Sequence, residues 1–151
     1  MAVHKCPTIA PSPPPSSDEA TAPGRAAAVA ALVHRMNGGL NNAALAIELA
    51  LGAPAEGHPL TEQSLRAGLA AIAQASRAAM LISQIVRPQG TTGEPVHPYM
   101  QDVREILRDH AQAARGQVSE AFEVAAGDAH ASPADAARLL VSELARIDGA
   151  R

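Results

Sequence analysis

A histidine on the flank of an apolar helix is the first group in this sequence with chemistry to offer. Projected at about 100° per residue, His34, Asn37, Asn41 and Glu48 fall on one polar stripe beside an apolar seam. An imidazole so placed turns a nitrogen toward solvent, and its neutral form is a nucleophile able to take a phosphoryl group from a donor docked on the helix. The plain alternative for the same spacing is a solvated surface histidine. Other catalytic constellations are missing from the sequence. It has no Gly-x-Ser-x-Gly elbow, no His-Glu-x-x-His pair and no Gly-rich phosphate loop. Cys6 and His4 supply too few ligands for a metal, so no metal site is expected. His58, His97 and His130 adjoin loop signals and read as solvated, while His110 sits on an apolar helix face and reads as a core histidine with a partner.

Two helices must position His34. From Gly24, Val29, Leu32, Val33, Met36, Leu40, Ala44, Ile47 and Leu51 recur at three- and four-residue steps. Gly52, Pro54 and Gly57 stop that run. Thr61 is a candidate N-cap for a second run through Leu65, Leu69, Ile72, Ala75, Ala79, Ile82 and Val86. The short connection predicts an antiparallel hairpin over 24–87. Pairing the two stripes leaves one broad side of each helix open to water, and a dimeric four-helix bundle covers it most simply. A C-terminal segment folded back within one monomer is the alternative. Gly38-Gly39 costs the first helix about 1 kcal/mol per glycine relative to Ala. The apolar phase continues from Met36 to Ile47 without reset, so the pair predicts a bend and not a stop.

The flanks divide the chain further. Residues 1–23, rich in Pro and Ser, predict a disordered tail, and 88–97 a linker. Residues 98–151 predict helix, strand and helix, with Val118, Phe122 and Val124 alternating as a strand over 117–124. Ser132, Pro133 and Asp135 spell a capped helix start. The fold class expected is thus mainly α. With Phe122 and Tyr99 as its whole aromatic supply, the core must be aliphatic. A net charge of −3 with no Lys after Lys5 offers no field for nucleic acid. One cysteine, no signal-like N-terminus and no apolar run of membrane-span length predict a soluble cytoplasmic protein with no membrane partner.

The run Val33-His34-Arg35-Met36-Asn37-Gly38-Gly39-Leu40-Asn41-Asn42 resembles the phospho-acceptor box of two-component histidine kinases, in the subfamily whose box begins His-Arg. The resemblance implies that His34 is the acceptor, with Arg35, Asn37 and Gly38 supporting it. It also implies a homodimeric helical hairpin and a response-regulator receiver domain docked at Asn41, Ala44, Leu45 and Glu48. A histidine kinase is a further partner implied. Two departures limit the activity. The acidic residue after the acceptor is replaced by Arg35, and the position of the phosphatase-associated Asn or Thr holds Gly38. Residues 98–151 resemble the start of the kinase ATP-binding domain, but Ile147 stands where a magnesium-binding Asn is expected, so no cofactor is implied for this chain. Magnesium belongs to the receiver partner. The expected function is a histidine phosphotransfer protein in a phosphorelay; the alternative is a non-catalytic dimerising adaptor or pseudokinase.

Overall fold

The computed structural model describes residues 17–52, 59–88, 96–127 and 132–150. The expected tail up to residue 16, His58, His130 and most of the expected 88–97 linker lie outside the described residues. The order is α1 (Ser17–Leu51), α2 (Pro59–Val86), α3 (His97–Ala114), α4 (Glu120–Ala126) and α5 (Pro133–Gly149). α1 begins seven positions before the expected boundary at residue 24, and Pro23 lies inside it. A proline removes one backbone donor, and the neighbouring turns carry the helix past it. Gly38 and Gly39 do not break α1, which runs unbroken to Leu51.

α1 and α2 run in opposite directions along each other. The Arg25 guanidinium donates to the Ile85 carbonyl, and Gly39 meets the backbone of Ala71 and the side chain of Ala75. A Cβ on Gly39 would lie 2.8 Å from the Ala71 carbonyl oxygen, so Gly39 lets the two backbones close up. Thr61, expected as the cap of α2, sits instead within its first turns, and its buried hydroxyl finds no partner among the described residues.

The C-terminal helices close over one side of this pair. α5 packs on α1 and α2, with α3 beside it, and Leu32, Leu81, Val103, Leu107, Leu140 and Leu144 form the fully buried centre. Gly24 is the tightest point of the α1–α5 crossing, where an added Cβ would fall 2.7 Å from that of Ala145. The expected capping box is formed: Ser132 Oγ accepts from the Asp135 amide at 3.2 Å, and the Asp135 carboxylate accepts from the Ser132 amide at 3.0 Å. The Ser132 amide bond, joined by those of Arg138 and the Ser132 hydroxyl, holds the Asp135 carboxyl below the usual carboxylate range.

The expected strand over 117–124 is a correction. Residues 116–119 have no regular structure, and Glu120–Ala126 is helical, so no strand occurs among the described residues. Ser119 explains the change. Its hydroxyl oxygen caps α4 by accepting from the Phe122 amide, with acidic Glu120 and Glu123 in the first turn, and no second strand is present to reward an extended conformation.

The other side of the α1–α2 pair is open. Ala26, Ala30, Val33, Asn37, Leu40, Ala44, Ile47 and Leu51 on α1 are all exposed, as are Leu65, Leu69, Ile72, Ser76, Ala79, Ser83 and Val86 on α2. Both rows step by four and three residues, the heptad pattern of a packed helical seam. Each row lies one residue beyond the positions the two helices bury against each other, Leu32, Gly39, Ala43 and Ala46 on α1 and Gly68, Ala71, Ala75 and Ala78 on α2. In antiparallel helices that equal offset turns both rows to the same side. Neither row carries a charge. By length and composition Thr61–Val86 would also suffice to cross a bilayer. Its Arg77, however, ion-pairs with the buried Asp102 of α3, and its outward residues form this seam.

Candidate functional site

His34 is exposed on α1 at the edge of an open cavity of about 430 Å³ between α1 and α3. It stands roughly 90° round the helix from the centre of the apolar seam. Ala31, Arg35, Gly38, Gly39 and Asn42 line the α1 side, Gln74 comes from α2, and Ile106, Asp109 and His110 come from α3. Gly38 leaves open space, with nothing within 4 Å of an added Cβ, so the wall beside His34 is low. His110 is half-buried and its Nε2 lies 2.9 Å from Asp148 Oδ1 on α5, which supplies the partner its apolar position called for.

Arg35 faces the packed side and ties three helices together beside His34. Its Nη2 donates to Asp102 Oδ1 at 2.8 Å and to Glu105 Oε2. With its oxygen turned inward, the Gln74 amide accepts from Arg35 Nε and Nη2 at 3.2 and 3.0 Å. Arg77 of α2 reaches the same aspartate, Nε to Oδ2 at 2.6 Å and Nη2 to Oδ1 at 3.3 Å. Asp102 is 4% exposed, so both its oxygens are satisfied by guanidinium groups in place of water. Burial works against the charge on Arg35, but the bonds to Glu105 and Asp102 outweigh it and hold the guanidinium above its ordinary value. The bond to Asp102 raises Arg77 likewise.

A second, shallower groove continues from the first along α1 and α2, sharing Asn42 and Gln74 with it. It encloses about 710 Å³, with Leu45, Ala46 and Leu49 on one wall and Gln63, Ser64, Ala67, Ala70 and Ala71 on the other. The structure therefore brings His34, Arg35 and Gly38 to one cavity and Leu45 to the groove beyond it. Asn41 and Glu48 are exposed on α1 outside both linings, and Asn37 and Ala44 lie in the apolar seam. The residues that sequence spacing missed are Asn42, Gln74, Asp102 and Asp109. Only Asp102 carried a signal, as a carboxylate on the apolar face defined by Tyr99, Val103 and Ile106, which requires a cationic partner.

Among the described residues no three His, Cys, Asp or Glu side chains converge on a point that would hold a metal. Within α5, Glu143 is engaged structurally. It accepts from the Ser119 amide and hydroxyl at 2.6 and 3.0 Å and from Arg146 Nη2 at 2.7 Å. Burial alone would raise its carboxyl, and the Arg146 and Ser119 bonds overcome this and hold it below the usual range. No protein-family model, characterised protein or solved structure shows a significant match to the chain. What the arrangement offers chemically is a solvent-facing imidazole at the mouth of a cavity, on a helix locked to its neighbours by a buried ionic clamp.

Proposed function

We propose that this chain is a histidine phosphotransfer protein that works as a cytoplasmic homodimer, with His34 accepting and returning a phosphoryl group from receiver domains of response regulators. The observation that carries the reading is the placement of His34, exposed at a cavity that opens directly into the apolar groove between α1 and α2. A partner's helix laid along Leu45, Leu49, Ala67 and Ala70 has its end at the imidazole. In the forward step an imidazole nitrogen of His34 attacks the phosphorus of the partner's aspartyl phosphate. The N–P bond forms, the P–O bond breaks, and the aspartate leaves as a carboxylate. A magnesium ion on the receiver would supply charge neutralisation for the transferring group, and this chain contributes position. The reverse step returns the group to a second receiver.

Two further features support the reading. The Arg35–Asp102–Arg77 clamp fixes α3 to the hairpin next to His34, so the imidazole is carried on a helix held rigidly in place. The open heptad seam supplies a face for the second copy in a four-helix bundle, and it leaves His34 on the flank, clear of the interface. The seam makes no demand on His34, which is what a dimerising adaptor or pseudokinase that binds a receiver or a histidine kinase would also show. One experiment separates them. Wild type and His34→Ala are each incubated with radiolabelled phospho-receiver domains, and label and binding are measured. Phosphotransfer requires label on wild type and none on the variant; binding by both with label on neither establishes the adaptor.

A further inference from the structure

We infer that Asn37 and Ser76 form a polar layer at the middle of the self-association seam and fix the register in which two copies of this chain join. The inference rests on the homodimer reading above. The antiparallel contacts of Gly39 with Ala71 and Ala75, and of Gly68 with Ala46, set which seam residues stand level. By that register Leu40 is level with Ile72, Ala44 with Leu69 and Ile47 with Leu65 on one side of the Asn37–Ser76 level. On the other side Val33 is level with Ala79, Ala30 with Ser83 and Ala26 with Val86.

The occupant that suits this face is a second copy. A face with no charge on either helix presents no like-charge penalty to its own duplicate, although the chain as a whole carries −3. Its fifteen residues a side, eight from α1 and seven from α2, make a small interface against the roughly 20–30 of a standard one, spread along the length of two helices as a four-helix bundle requires. Joined symmetrically, along the bundle or across it through the central layer, two copies bring two Asn37 and two Ser76 into one plane. There their amides and hydroxyls satisfy one another. A slip by one heptad sets each Asn37 against Ala30 or Ala44 and their level partners, where the buried amide loses the symmetric amide partner. A lone buried Asn in a helical seam selects register and copy number at some expense of affinity.

The test is the dissociation constant and copy number of the full chain, by sedimentation and light scattering, for wild type, Asn37→Leu and Asn37→Asp. Both variants change an exposed side chain of the isolated chain, so its folding is spared. Wild type is expected to be a dimer. Asn37→Leu is expected to associate roughly tenfold more tightly and to lose its single copy number. Asn37→Asp places two carboxylates in one layer, so its dimer is expected to weaken at least about tenfold at neutral pH and to recover on acidification, as the paired carboxyls take up protons. A wild-type dimer whose affinity is the same in all three proteins overturns the polar layer and leaves self-association standing. A wild-type chain that stays monomeric at every concentration overturns self-association itself, and the layer with it.

Discussion

At the scale of single residues, the fold depends most on the group next to the candidate nucleophile. Asp102 is buried between two guanidinium groups, and removing its charge takes the shared carboxylate from both Arg35 and Arg77 and leaves Arg35 to Glu105 and Gln74. Asp102→Ala is expected to lower stability by about 3–5 kcal/mol in chemical denaturation, well beyond the loss of an exposed ion pair such as Arg66–Glu62. Glu143 gives a second residue-level prediction, this time in pH. Its folded-state carboxyl is held down, so the unfolded chain binds the proton first and stability falls as pH drops through the carboxylate range. The decline is expected to be shallower in Glu143→Gln, measured by thermal midpoints from neutral to acid pH, with that variant already less stable at pH 7. Sequence spacing found His34 and Arg35 because both lie on one helix at fixed phase. It missed the partners of Arg35, since Asp102, Glu105 and Gln74 lie 39 to 70 positions away and meet only when three helices pack.

At the scale of elements, the adjacent glycines of α1 separate into different roles. Gly39 carries a packing contact, and Gly39→Ala is expected to push α1 from α2 and lower the thermal midpoint, because the nearest obstacle is backbone. A Cβ added at Gly38 meets nothing, and Gly38→Ala is expected to stabilise α1 by up to about 1 kcal/mol. The opposite pair of results would contradict the register of the two helices. Apolar phase marked the four long helices, but on α1 and α2 most of the stripe it picks out, Leu40, Ala44, Ile47, Leu65, Leu69 and Ile72 among it, is exposed, and the small residues Gly39, Ala43, Gly68, Ala71 and Ala75 make the contact between the two helices. The short α4 reads as a strand in sequence because three apolar residues over seven positions fit either period, and the deciding features are the Ser119 cap and the clamp from Glu143 on another helix.

At the scale of the whole molecule, the α1–α2 pair has two sides with different fates. One is covered at one end by α3 and α5, with the cavity at His34 between α1 and α3 and the apolar groove beyond it. The other keeps an uncharged heptad seam, which the C-terminal helices leave open. The sequence posed dimer and fold-back as alternatives for a single exposed side; fold-back accounts for part of one side, and the seam lies opposite. Leu69→Glu sets a charge inside that seam and is expected to give a folded monomer, seen as halved mass in light scattering with unchanged helical circular dichroism. The central claim concerns His34 itself. Its most direct measurement is phosphorus NMR with peptide mapping at neutral pH, after the chain is incubated with a phosphorylated receiver domain. The account predicts one phosphoramidate signal mapping to His34 and lost in His34→Ala; no phosphoramidate, or one mapping to His97 or His110, would contradict it.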